Sequence, residues 1–173
     1  SQKAAVLGSR LALSGGKRLR PRLCLLAYHH SSGNKTPTPE VYKLATAIEF
    51  LHLATLLHDD VIDNATRRRS EPSVNITHGN KTAVLLGDFF FSCFLEAAAD
   101  SSSNILSLLA STIGSMVEGE LTQANHCLDL NLTEAQYLDI IERKTAALIA
   151  AACEVGARAA GADGDTINTF RRF

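Results

Sequence analysis

Apolar residues recur along the chain at three- and four-residue intervals and hardly ever alternate by two, so the pattern predicts helices and almost no strand. From Thr38 onward, "TPEVYKLATAIEFLHLATLLHDDVID" carries apolar residues at Val41, Leu44, Ala45, Ile48, Leu51 and Leu56. Thr38 supplies a cap and Pro39 takes the first helical position, where a missing N–H is harmless; this helix should end near Asn64. A second long pattern opens at Thr133 with Gln136 completing a capping box, runs through an Ala-rich interior and meets Gly161 as its stop. Between them lie helices over 82–98 and 104–127, joined by the polar "DSSSN" loop, and an earlier helix covers 20–30. "DTINTFRRF" reads as the opening turns of one more helix, which suggests a piece of a longer chain. The expected architecture is all-α, with helices packed around a shared core.

Composition changes this picture little. The 173 residues, 46% of them apolar, suffice for the core of one domain. A net charge of −1 points to neither a nucleic-acid binder nor a strongly anionic surface. Seven of the 17 Lys and Arg nevertheless fall in two short clusters, Lys17, Arg18, Arg20 and Arg22, then Arg67, Arg68 and Arg69, so basic charge is concentrated where a small anion can be held. The four cysteines form no paired or zinc-like spacing and read as buried free thiols of a reducing compartment. No run of 18 apolar residues is present, so no integral membrane segment is expected. A cytoplasmic location follows, or an organelle matrix if a transit sequence has been removed.

The chemistry concentrates in "LLHDDVIDNATRRRS". On a helix Asp59 and Asp63 face the same way, with Asp60 about 100° round from Asp59. Carboxylates this close repel unless a cation lies between them. Hard oxygens so arranged suit Mg²⁺, which accepts one or two carboxylates and completes its shell with water and phosphate oxygens. The alternative is a solvated acidic helix end paired locally with arginines; the preceding apolar run disfavours it by aiming the acids at the core, where unpaired charge is costly. In "SGGKRLRPRL", Gly15 and Gly16 permit a close backbone approach, and Lys17 and Arg20 would share a face if the helix begins there. Read alone, that stretch is more readily a loop of solvated basic residues before a helix. Together the acidic set and the two basic sets describe a site for two diphosphates, one bridged through Mg²⁺ and one held directly.

These residues bring a resemblance into view. "GGKRLRP", "DDVID" with "RRRS", and "ERKTAALI" resemble three motifs of the trans-isoprenyl diphosphate synthases, also called polyprenyl synthetases, and "VEGELTQ" and "AVLLGDFF" resemble the long-chain branch. The resemblance runs over nearly the whole chain. It implies a helical bundle of the isoprenoid synthase type around a central apolar cavity, forming a single domain over 1–173 that lacks a C-terminal part with a second aspartate-rich motif. It implies Mg²⁺ on Asp59, Asp60 and Asp63, the allylic diphosphate on Arg68, and isopentenyl diphosphate on Lys17, Arg20, His52 and Arg69. Lys144 and Thr145 would close over the allylic diphosphate, with Gln123 a lesser contributor. Without the resemblance, Lys144 reads as an exposed helix residue paired with Glu142 or with the neighbours of Arg143, and His52 as a core histidine. Ser70 stands where the family usually has Gly, and the helix that normally precedes "SGGKR" looks short or missing.

The implied activity is condensation of an allylic diphosphate with isopentenyl diphosphate to a medium or long all-trans polyprenyl diphosphate. A homodimer is implied, with a heteromer as the alternative. Two rival functions are a non-catalytic subunit of a heteromeric synthase and a class I terpene cyclase, which has no need of the separate Lys17 and Arg20 set. Ala54 lies about 7.5 Å down the helix from Asp59. Small Ala54 and Thr55 suggest a tunnel that lets a long tail pass, with a floor set by Phe89, Phe90 or Phe91.

Overall fold

The computed structural model describes residues 2–13 and 15–172. Its helices are α1 (Gln2–Leu13), α2 (Leu19–Ser31), α3 (Pro39–Ile62), α4 (Val74–His78), α5 (Asn80–Ala98), α6 (Ser103–Asn125), α7 (Glu134–Ile141), α8 (Ala147–Ala159) and α9 (Gly164–Arg172). The all-α expectation holds. Tertiary contacts divide the chain into two compact units, Ser1–Arg18 with Thr46–Ala99, and Leu19–Ala45 with Asp100–Phe173.

The predicted helix signals act as read. Pro39 opens α3, and Thr133 and Gln136 close a reciprocal capping box at α7. The end of α8 is a Schellman motif: Gly161, at φ 73°, donates to the Arg158 carbonyl, and Ala162 donates to that of Ala157. Four expectations are corrected. The helix from Thr133 is not continuous, because Glu142–Ala146 forms a π turn between α7 and α8. Residues Arg67–Arg68 and Glu71–Pro72 form a two-stranded antiparallel ribbon, β1 and β2, that no alternation announces. A twelve-residue helix, α1, precedes the glycine loop. Finally, Cys127 is exposed and Cys93 only partly buried, so the thiols are free but not uniformly buried.

In the first unit, Leu53, Ala54 and Leu57 of α3 meet Val74 of α4 and Ala83, Leu86 and Phe90 of α5. Leu7 and Leu11 of α1 pack against this core, and Gly8 lets α1 approach Phe89, which a Cβ would meet at 3.1 Å. Gly87 leaves the space that the His58 ring occupies, and the His58 Nε2 lies 3.2 Å from the Val84 carbonyl.

The second unit is built on α8, whose residues Ala151 to Ala157 are all buried. Alanine there allows close packing at the cost of little side-chain entropy. Gly156 rests directly on the α2 backbone at the Cys24 carbonyl and the Tyr28 amide. Burial, with Cys153 nearby, pushes the Cys24 thiol up to about 12, which leaves it an inert packing group. Gly156→Ala would drive a Cβ into that backbone, which cannot yield as a side chain can. We expect it to lower stability by at least about 2 kcal/mol despite the better helix propensity of Ala, measured as a shift of the urea unfolding midpoint at unchanged slope.

Candidate active site

The last turn of α3 carries the acids. Asp60 is only 2% exposed, Asp59 is half-buried and Asp63 is exposed. Helical geometry persists just past Ile62, because the Asp63 N–H donates to the Asp59 carbonyl at 2.8 Å. Asp59 and Asp63 therefore keep the shared face their spacing predicts.

Asp60 is engaged by Arg68. The Arg68 Nε donates to both carboxylate oxygens at 2.8 and 3.0 Å, and Nη2 lies 2.7 Å from Oδ1. Such a planar fork on a carboxylate is the strong form of an ion pair. The turn between β1 and β2 makes this return possible. Arg69 and Ser70 both take left-handed backbone angles, φ 49° and 71°, the twist that a two-residue ribbon turn demands. Arg67 donates across the turn to the Ser70 carbonyl. Behind it, the Asn75 amide donates to the carbonyls of Asp60 and Ala65, each at 3.0 Å, and the Ser73 hydroxyl donates to that of Ala65 at 2.6 Å. The carbonyls exposed by the sharp departure from α3 are thus satisfied, as burial requires.

Arg69 points the other way, donating to the Gly15 carbonyl at 2.6 Å. Its guanidinium fills the space beside Gly16, where a Cβ would sit 2.5 Å from Nη1. The loop is held from its far end by Arg18, which pairs with Glu49 of α3 at 2.6 Å and donates to the Ala12 carbonyl. Lys17 is exposed between these two anchors. Since α2 begins only at Leu19, Lys17 precedes the helix, and the expected shared helical face with Arg20 does not form; Arg20 is half-buried in the first turn of α2. His52, half-buried on α3, accepts through its carbonyl from Thr55. A cavity of about 170 Å³ adjoins Asp60 and Arg68, walled by Leu53, Leu57, Val74 and Phe90. Neither Ala54 nor Thr55 lines it: Ala54 packs in the neighbouring core and Thr55 is half-buried on α3. Of the three candidate floor residues, Phe90 is buried, while Phe89 and Phe91 are partly buried at the edge of that core.

In the second unit Lys144 and Thr145 lie on the π turn. The Lys144 ammonium is 2.6 Å from the Glu120 carboxylate and donates to Gln123 at 3.2 Å, both on α6, so its partner is not Glu142. Thr145 is exposed. Among the described residues, no three His, Cys, Asp or Glu side chains converge into a ready-made metal cage. With Asp60 engaged by Arg68, the other carboxylates at the end of α3 could hold a divalent cation that completes its shell with oxygens of a bound anion.

Arg18 stood in the sequence only as one of a basic cluster, without the partner that fixes it, and Glu49, Asn75 and Glu120 were not singled out at all. Buried Glu49 was the one with a signal: an acid on the apolar face between Ile48 and Leu51 needs a cation to meet it.

A helical chain with these motifs has the isoprenoid synthase fold. The crystal structure of a decaprenyl diphosphate synthase from Rhodobacter capsulatus superposes with a TM-score of 0.90 and 38% identity, covering 98% of this chain and 51% of that one. A polyprenyl synthase from Caulobacter crescentus CB15, solved with calcium and isoprenyl diphosphate, matches with a TM-score of 0.89 and 40% identity over 96% of this chain and 50% of that one. The octaprenyl diphosphate synthase of Escherichia coli (strain K12) is 36% identical over 158 residues, 90% of this chain and 47% of that protein. The polyprenyl synthetase family model matches residues 5–173, and the chain belongs to that family. It spans about half the length of the relatives it matches.

Ser70 occupies a conformation that costs an L-residue about 1–2 kcal/mol. Ser70→Gly should therefore stabilise the first unit by about 0.5–1 kcal/mol after the extra chain entropy of glycine is counted, read as a higher thermal midpoint with the Asp60–Arg68 pair retained.

Proposed function

We propose that the protein to which this chain belongs is a Mg²⁺-dependent prenyltransferase, condensing an allylic diphosphate with isopentenyl diphosphate to a medium or long all-trans polyprenyl diphosphate. The observation that carries this reading is the arrangement at the end of α3: an acidic turn, an arginine ribbon folded back onto it, and a glycine loop tied to the next arginine. One class of anion is served by acids through a metal and another directly by cations, which suits two diphosphate substrates. Names among the relatives, decaprenyl and octaprenyl diphosphate synthase, support a long product. The calcium and isoprenyl diphosphate of the Caulobacter crescentus structure support a divalent cation working with a prenyl diphosphate.

In this scheme Asp59 and Asp63 hold Mg²⁺, while Asp60 acts chiefly by fixing Arg68 toward the allylic diphosphate. Lys17, Arg20, His52 and Arg69 take isopentenyl diphosphate, and Lys144, Thr145 and Gln123 complete the allylic site. The cation supplies charge stabilisation as diphosphate leaves the allylic carbon. The double bond of isopentenyl diphosphate attacks that carbon, a new C–C bond forms and a proton leaves. Apolar walls exclude the water that would otherwise intercept the cationic carbon. The chain is read as part of one catalytic domain, active as a homodimer in a cytoplasmic or organelle-matrix setting. In support, Val84, Leu85 and Leu95 of α5 are exposed apolar residues that a second subunit would cover, and no helix among the described residues is long and apolar enough to cross a membrane.

In the full-length protein, Asp59→Ala should abolish Mg²⁺-dependent binding of a non-hydrolysable allylic diphosphate analogue and lower turnover by about 10²–10³-fold, the scale of a lost charge-stabilising group. Calorimetry with and without Mg²⁺ checks this, and unchanged metal-dependent affinity in a folded variant would refute the metal assignment. Product length offers a second test. Ala54 is packed in the core, so Ala54→Phe would overpack it; half-buried Thr55 is the better probe. Thr55→Phe should shorten the released prenyl diphosphate, as resolved by chain-length chromatography.

A further inference from the structure

A π turn inserts one residue into a helical turn and re-aims the side chains on it, and such turns occur mostly at functional sites. Here the turn carries Lys144, and one face of α6 receives it. Gly119 lets the two backbones touch: a Cβ there would lie 2.9 Å from both the Lys144 amide nitrogen and the Arg143 Cβ. Glu120 lies 2.6 Å from the Lys144 ammonium and Gln123 accepts from it at 3.2 Å. Glu118 and Asp139 hold neighbouring Arg143 at 2.8 and 3.0 Å, so the two cations of the turn are sorted onto different carboxylates. The Lys144 and Glu120 side chains are only 25% and 18% exposed, which leaves their charges less screened than an open surface pair.

We propose that Glu120 is a positioning residue for Lys144 whose carboxylate acts as a counter-charge, exchanging with diphosphate at the ammonium and so promoting diphosphate release. This rests on the prenyl-transfer reading above. Lysine offers a compact charge with three donors, and a diphosphate arriving there must share it with a carboxylate that can withdraw by no more than a rotamer. The repulsion weakens every bound diphosphate, but not equally. Inorganic diphosphate has one more ionisable oxygen than its prenyl ester, so the product is repelled more than the substrate. Gln123 holds the same ammonium without charge and adds no such bias.

The test is calorimetric titration of full-length protein with inorganic diphosphate in the presence of Mg²⁺, alongside steady-state kinetics. Glu120→Gln, which keeps shape and an acceptor, should bind inorganic diphosphate about threefold or more tightly and show a lower kcat with stronger product inhibition. Glu120→Asp should restore the original affinity. Gln123→Glu places a second carboxylate on the same ammonium and should weaken diphosphate binding. A purely structural role for Glu120 predicts the opposite sign for Glu120→Gln, and unchanged or weaker diphosphate binding in that variant overturns the proposal. So does Gln123→Glu without effect. Lys144→Gln separates the two levels of inference: it should weaken diphosphate binding and erase the tightening in the double variant. If Lys144→Gln binds diphosphate as well as the parent, the assignment of Lys144 to the allylic site fails instead.

Discussion

An ionised carboxylate with almost no exposure to water needs a cation at hand, and much of the first unit is arranged to give Asp60 one. Arg68, eight residues after Asp60 and six after the end of α3, must return to it, which forces the chain to reverse. The reversal takes the form of the β1–β2 ribbon, and its turn needs two left-handed residues, Arg69 and Ser70. Past the abrupt exit from α3, the Asp60 carbonyl accepts from the Ala65 amide and from Asn75, and the Ala65 carbonyl accepts from Asn75 and Ser73. Once Arg68 faces inward, Arg69 is sent outward to the glycine loop, where it fastens Gly15. Losing one member of such a pair costs about 3–5 kcal/mol in a fully buried setting; Arg68 is 37% exposed on its side chain, so the cost here is smaller.

Charges of both signs are paired before any ligand arrives. Asp60 has Arg68, Glu49 has Arg18, and Lys144 has Glu120. On the proposed function, binding at such residues would be an exchange of partners rather than the filling of bare charges. It also keeps neighbouring charges of like sign apart, since a loop with Lys17, Arg18 and Arg20 in close sequence sends Arg18 to a buried acid and leaves Lys17 exposed.

Helix content and the acidic turn were legible because they rest on local rules: period, capping and glycine stops. Thr133, Gln136, Pro39 and Gly161 each act through neighbours within four residues, and each behaves as read. What could not be read depends on partners beyond the reach of a single helical turn. The ribbon at Arg67–Pro72 has no strand propensity and exists because Arg68 must meet Asp60. The π turn arises where Gly119, 25 residues before Lys144, admits a backbone rather than a side chain. Lys17 and Arg20 were placed on one face because their spacing allows it, but the loop geometry of Gly15, Gly16 and Arg18, all at positive φ, delays the helix until Leu19. Glu120 escaped notice for the simplest reason: an acid on a mostly exposed helix is ordinary until its partner is known.

The π turn has a consequence for how this sequence can change. An insertion or deletion in a loop such as 32–38 alters a connection and little else. Within Glu142–Ala146 the wide turn absorbs one residue locally, so a single deletion there would restore ordinary helical winding while α7 and α8 kept their faces. What would change is the turn itself: Arg143 and Lys144, which the π turn presents to the carboxylates of α6, would be re-aimed, while α8 stayed on α2. This short stretch couples chain length to the assignment of charges.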